Sequence, residues 1–138
     1  MIPSAILQSL AGEELALTIP GFRRDLVFVE DVLQAYLLAL DGARKTWGKI
    51  INIGSGQQWS NEAVVELIQA TTGRAITVRQ GAYPSRASDT EHWVADIRRA
   101  ESLLGWQPRH SLRSGLEKTV AWFRARPELA KHYLKKAN

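Results

Sequence analysis

Apolar positions along the chain follow two periods. Ile2, Ile6, Leu7 and Leu10 have helical spacing, with Pro3 in a first turn and Gly12 as a stop. Leu15 to Ile19 reads as a short strand closed by Pro20-Gly21. Leu26 to Val29 is uniformly apolar and predicts a buried strand. Glu30 and Asp31 then favour a helix start, Val32, Leu33, Tyr36, Leu37 and Leu40 make a stripe, and Gly42 ends it. Ile50 to Ile53 predicts a second buried strand. Strand, helix and strand form a βαβ unit, whose strands should be parallel. Ser60 suits the N-cap of a helix bearing Val64, Val65, Leu67 and Ile68, stopped by Gly73. Residues 75–79 alternate as a strand, and residues 80–92 have no period. Asp96 could cap a helix through Leu104, with Gly105 as its stop. Ser111 could cap another carrying Leu112, Leu116, Val120 and Phe123, and Pro127 opens a last one. Trp106 and Trp122 fall beside apolar helical positions and are expected in or near the core.

This order predicts a mixed α/β fold: a small sheet with a parallel βαβ unit, packed by four or more helices. At 138 residues and 45% hydrophobic content the chain fits a single domain, 1–138, with 124–138 as a basic helix or tail. Absence of cysteine excludes disulfides, thiolate metal sites and a cysteine nucleophile. The first residues have no basic lead, and Gln8 and Ser9 break their apolar run. No targeting or membrane segment is expected, and the chain reads as soluble and cytoplasmic.

Charge is uneven. Arg98 to Asn138 holds ten Lys or Arg against three acids, a net of +7, and the rest of the chain is −3. Spread at helical spacing, these charges describe a solvated face; a basic half can also attract phosphates. Nucleic acid is not the expected partner, because no groove-reading motif accompanies the charge. His92, His110 and His132 lack metal spacing, and no G-x-S-x-G elbow supports a serine nucleophile. Gly54-Ser55-Gly56 lies between a strand and a helix, where a phosphate loop could sit. The dinucleotide pattern needs a third glycine at position 59, which is Trp59, so a tight strand-to-helix turn is the favoured reading. Arg24, at a strand start, could clamp a phosphate or pair with Asp25 or Glu30. Arg86 and Asp89, in the loop without period, could meet a phosphate and a hydroxyl, or be ordinary loop polarity.

Taken together, five stretches resemble the C-terminal half of the NAD-dependent epimerase/dehydratase family, the extended short-chain dehydrogenase/reductases that modify nucleotide sugars. Ile2-Pro3 with Ala5-Ile6-Leu7 and Gly12-Glu13 resembles the helix before the sugar-nucleotide site. Arg24-Asp25-Leu26-Val27-Phe28-Val29-Glu30-Asp31-Val32 is similar to the family's R-D-[FL]-V-[YF]-V-x-D-[VL]. Ile51-Asn52-Ile53-Gly54-Ser55-Gly56 with Ser60 resembles its N-I-G-S-G…S turn. Tyr83 with Arg86-Ala87-Ser88-Asp89 resembles its Y…R-x-x-D loop. Asp96 to Ala100, Leu104 to Pro108, Leu112 and Gly115-Leu116 resemble its ending. The resemblance covers about residues 2–123. It implies a partial Rossmann-type βαβ unit plus the small C-terminal substrate-binding subdomain. It also implies that Arg24 and Arg86 contact the diphosphate of a nucleoside-diphosphate sugar, with Asp89 near the ribose.

Two family features are missing from these 138 residues. No glycine triplet has dinucleotide-loop spacing, and no Tyr-x-x-x-Lys pair occurs: Tyr36, Tyr83 and Tyr133 are followed four on by Leu40, Ala87 and Ala137. The resemblance therefore implies a truncated relative that binds a nucleotide sugar without turning it over alone. It implies no catalytic residue and no cofactor in this chain, whereas the full-length family uses NAD or NADP. A strand at Ile50 to Ile53 without the other half leaves an exposed edge and apolar face, so a homo-oligomer or a complementary N-terminal Rossmann half is expected. The alternatives are a structural or oligomerisation module that has lost its ligand, and one part of a split enzyme.

Overall fold

The computed structural model describes residues 1–83 and 90–137. In chain order its elements are α1 (Ile2–Ala11), β1 (Leu15–Thr18), β2 (Arg23–Asp25), α2 (Val29–Asp41), α3 (Ala43–Thr46) and β3 (Gln58–Ser60). They continue with α4 (Asn61–Thr72), β4 (Val78–Tyr83), α5 (Arg98–Leu104), α6 (Leu112–Arg124) and α7 (Pro127–Ala137). They fall into two compact units. The first takes residues 1–22, 60–91 and 113–138; the second takes 23–59 and 92–112.

In the first unit β1 and β4 pair in parallel, Leu15 opposite Val78 and Ala16 opposite Arg79. The register then slips so that Thr18 meets Tyr83. Gly81 (φ 68°) lies within the slipped stretch, where a left-handed residue lets the strand bulge and pairing resume. This moves the strand expected at 75–79 towards its C-terminal side. The core is Ile6, Leu7, Leu15, Leu17, Val64, Val65, Ile68, Leu116, Val120 and Phe123, each at most 6% exposed. Helical spacing in α1, α4 and α6 presents these side chains together, and burying each contributes about 1.5–3 kcal/mol. The helix ends use the expected signals. Ser60 Oγ accepts from Ala63 N at 3.2 Å, and Gly12 and Gly73 take left-handed caps. A buried hydroxyl pair, Ser9 Oγ to Thr72 Oγ1 at 2.8 Å, links α1 to α4, and Arg124 donates to the Thr72 carbonyl at 2.8 Å. Trp122 departs from expectation: it is 40% exposed, with the Arg126 guanidinium over its ring.

The second unit is built around Trp106, which is 1% exposed. Ala35 and Ala100 are buried with it, and Val27, Leu38, Ile51, Ile53, Ile97 and Leu104 pack against them. Its ladder joins β2 to β3. The predicted strands at 26–29 and 50–53 do not appear: among the described residues neither joins a ladder, and the parallel pair is β1–β4. A strand exists only through hydrogen bonds to a neighbour, and these apolar runs find none here. The stripe on α2 is correspondingly uncovered. Leu33, Tyr36, Leu37 and Leu40 are 57–73% exposed, and Ile50 is 81% exposed. A cleft of about 290 Å3 between Val32, Ala35, Tyr36, Ile51, Ile53 and Leu104 opens onto the same face. No helix among the described residues is long and apolar enough to cross a membrane.

Candidate functional site

Two groups of polar side chains organise the second unit. The first centres on Asp25, the last residue of β2. Its Oδ1 accepts from the Ser55 amide at 2.7 Å and the Ser55 hydroxyl at 2.5 Å. Its Oδ2 accepts from the amides of Gly56 at 3.0 Å and Ala95 at 3.1 Å. These four bonds fill the acceptor capacity of a carboxylate. The Asp25 amide in turn donates to the Trp93 carbonyl at 2.9 Å. One residue thus ties together three segments distant in sequence.

The Gly54-Ser55-Gly56 turn is consequently a carboxylate-binding turn. Its amides converge on Asp25, and a dinucleotide diphosphate brought there would meet that negative charge instead of free donors. The turn does not fit a cofactor phosphate; it is a tight turn, but it runs from residues 50–53, which join no ladder among the described residues, into β3, and so is not the expected strand-to-helix turn. Gly54 is required by contact: a Cβ there would lie 2.5 Å from Ala95 Cβ and 2.6 Å from Asp25 Oδ2.

Next to Asp25, Arg24 is half-buried on β2. Its Nη1 donates to the Arg23 carbonyl at 2.8 Å, and its guanidinium lies 5.8 Å from the centre of the Trp93 ring. Trp93 is 62% exposed, so the pair sits at the surface. Such stacking restricts a long side chain to few rotamers and keeps its planar guanidinium at one place on the surface. Of the other residues the sequence selects, Arg86 and Asp89 lie outside the described residues. Among the described residues no group of three or more His, Asp and Glu is placed to hold a metal ion.

The second group centres on Asp31 in the first turn of α2, which is 1% exposed. Its carboxylate accepts from the His110 amide at 3.0 Å and lies 2.9 Å from His110 Nδ1. His110 Nε2 is 3.5 Å from Glu30, and the ring packs on Phe28. Trp106 Nε1 donates to the Asp31 carbonyl at 2.9 Å. Burial pushes the Asp31 carboxyl up, but the His110 ring, the backbone amides of His110 and Arg109, and the His110 charge together hold it below its ordinary value of 3.8. A carboxyl lowered in the folded state stabilises it fully above the unfolded value, and that contribution disappears as pH falls through the folded value. Acid titration followed by circular dichroism should therefore show stability falling below about pH 3.8. Asp31→Asn should flatten this dependence and cost about 1–3 kcal/mol at neutral pH, the scale of a hydrogen bond to a charged group. An unchanged acid limb in the variant would remove Asp31 from this role. Local sequence marks this residue only as an acid at a helix start, because its partner is 79 positions away.

The sequence profile of the GDP-mannose 4,6 dehydratase family matches residues 1–119. The chain belongs to this family, within the NAD-dependent epimerases and dehydratases of the extended short-chain dehydrogenase/reductase group. A UDP-glucose 4-epimerase of Lactobacillus helveticus is 38% identical over 88 residues, covering 63% of this chain and 26% of that protein. An epimerase of Methanothermobacter thermautotrophicus superposes with a TM-score of 0.86 at 29% identity, over 95% of this chain and 39% of its own. The UDP-glucuronic acid 4-epimerase of Bacillus cereus, solved with UDP-glucuronic acid and NAD, gives 0.81 at 26% identity, over 91% and 40%. The chain thus spans between a quarter and two fifths of the length of these proteins.

Proposed function

We propose that this chain supplies the sugar-nucleotide side of an epimerase or dehydratase site. It binds a nucleoside-diphosphate sugar through Arg24, with Arg86 on the same diphosphate and Asp89 near the ribose, and does not turn it over alone. The observation that carries this reading is Arg24, half-buried on β2 with its guanidinium over Trp93. Arginine recognises phosphate oxygens through paired, charge-assisted bonds, and a second arginine on one diphosphate adds direction as well as energy. Hydride and proton transfer need a dinucleotide loop and a Tyr-x-x-x-Lys pair, and neither occurs within these residues. NAD or NADP belongs in this reading with a complementary Rossmann half, which would cover the exposed apolar face of α2 and give residues 50–53 a strand to pair with.

Thermal unfolding with increasing UDP-glucose or dTDP-glucose tests the binding. A ligand specific for the folded state at a hundred times its Kd stabilises by about 2.7 kcal/mol. The expected result is a saturable rise in Tm that Arg24→Ala and Arg86→Ala each abolish. Equal shifts in wild type and both variants, or none with any nucleotide sugar, would overturn the assignment.

The exposed face of α2 favours a second reading, a module kept for assembly that has lost its ligand. Light scattering across concentrations separates the two. A self-associating chain without a nucleotide-dependent Tm supports assembly, and a monomer with saturable nucleotide binding supports the first reading.

A further inference from the structure

We infer that Asp25 is a positioning residue for Arg24. Its carboxylate fixes both the strand from which Arg24 projects and the segment carrying the aromatic ring over which the guanidinium lies. Three observations bear on this. Asp25 directly follows Arg24 on β2, so any rotation of the Asp25 backbone is passed to the neighbouring residue. Its Oδ2 holds the amide of Ala95, and its own amide bonds to the Trp93 carbonyl, so the 93–95 segment is gripped from two sides. Its Oδ1 holds the Ser55 amide and hydroxyl, which anchors the carboxylate. The Arg24–Trp93 stack therefore has both members next to one residue: Arg24 precedes Asp25 in the chain, and Trp93 bonds to the Asp25 amide two residues before the carboxylate's hold on Ala95. Without it, Trp93 is an exposed side chain on a segment with no regular structure, and the guanidinium loses its platform.

The functional weight of this role rests on the reading of Arg24 as the diphosphate ligand, but the geometry can be read without any ligand. The Arg24 Nε–H resonance of the full chain, identified by its loss in Arg24→Lys, should carry a ring-current shift that Trp93→Leu removes. Asp25→Asn keeps size and shape but turns one oxygen into an N–H2 group that faces amide donors. We expect the resonance in Asp25→Asn to move towards its position in Trp93→Leu. Affinity for UDP-glucose should fall at least tenfold, while circular dichroism keeps the wild-type helix content. Ser55→Ala, which removes one of the four bonds, should give an intermediate displacement, and it decides the matter if Asp25→Asn does not fold. An Arg24 resonance unmoved in a folded Asp25→Asn protein, or unmoved in Ser55→Ala when Asp25→Asn is unfolded, overturns the inference. Failure of the ligand reading is separate: the resonance then moves as expected while Arg24→Ala leaves nucleotide binding unchanged.

Discussion

Trp106→Ala should cost about 3–5 kcal/mol, the range for truncating a large buried aromatic side chain. Trp106 is 1% exposed and lies at the centre of the second unit, with Ala35 and Ala100 as its buried neighbours. Val27, Leu38, Ile51, Ile53, Ile97 and Leu104 also pack against the cluster, and surrounding side chains relax only partially into such a space, so part of the cavity should persist. The indole N–H adds a polar element: it donates to the Asp31 carbonyl, a bond additional to the helical ladder of α2, and the variant loses it. Domains of this size are commonly stable by about 5–15 kcal/mol, so about a fifth or more of the total is at stake. Urea unfolding measures it. Trp106→Phe is the milder variant, since it keeps a buried aromatic ring while losing the donor and part of the ring volume, and it should cost about 1–3 kcal/mol. A Trp106→Ala loss below about 1 kcal/mol would show that the second unit does not depend on this cluster.

Gly54→Ala is the second large effect, and it acts by overcrowding. The new methyl group would sit 2.5 Å from Ala95 Cβ, a short side chain that cannot move without its backbone. It would also sit 2.6 Å from Asp25 Oδ2, the oxygen that accepts from the Gly56 and Ala95 amides. Relief requires the turn and the 93–95 segment to separate, which lengthens bonds on both sides of Asp25. Overpacking of this kind costs about 1–3 kcal/mol. The check is a fall in Tm together with faster hydrogen exchange at the Gly56 and Ala95 amides. Ala at Gly42 is the control, because a Cβ there meets only the Leu38 carbonyl, at 3.2 Å. Equal effects at both positions would refute the crowding argument.

The helices were legible because their information is local. Ile6, Leu7, Val64 and Ile68 repeat at helical spacing, and Ser60, Gly12 and Gly73 punctuate them at the positions the structure uses. The family was legible too, because its motifs are short and come in a fixed order. What the pattern could not provide was anything requiring a distant partner. Leu26 to Val29 and Ile50 to Ile53 have the composition of buried strands, yet pairing belongs to two segments at once, and no ladder partner occurs for them among the described residues. Asp25 read as a counter-ion for its neighbour Arg24. It serves as an acceptor for amides 30 and 70 positions away, and nothing in its local sequence marks that. His110 has no metal spacing and no other local mark in the sequence, yet it is the partner of Asp31. Trp122 shows the opposite error: a large apolar side chain beside helical core positions stays at the surface under Arg126.

The chain passes between its two units four times, and this has a consequence for biosynthesis. Leu15 and Leu17 leave the ribosome well before their partner strand, because β1 pairs with a strand that begins at Val78. At about 5–20 residues per second, roughly 3–12 s separate the two, during which an apolar strand with open hydrogen-bonding edges has no native neighbour. Closing a loop of that length is a modest entropic cost, yet it delays the event on which the first unit depends. That interval is when a nascent copy is most exposed to holdase chaperones and to strands of its own kind.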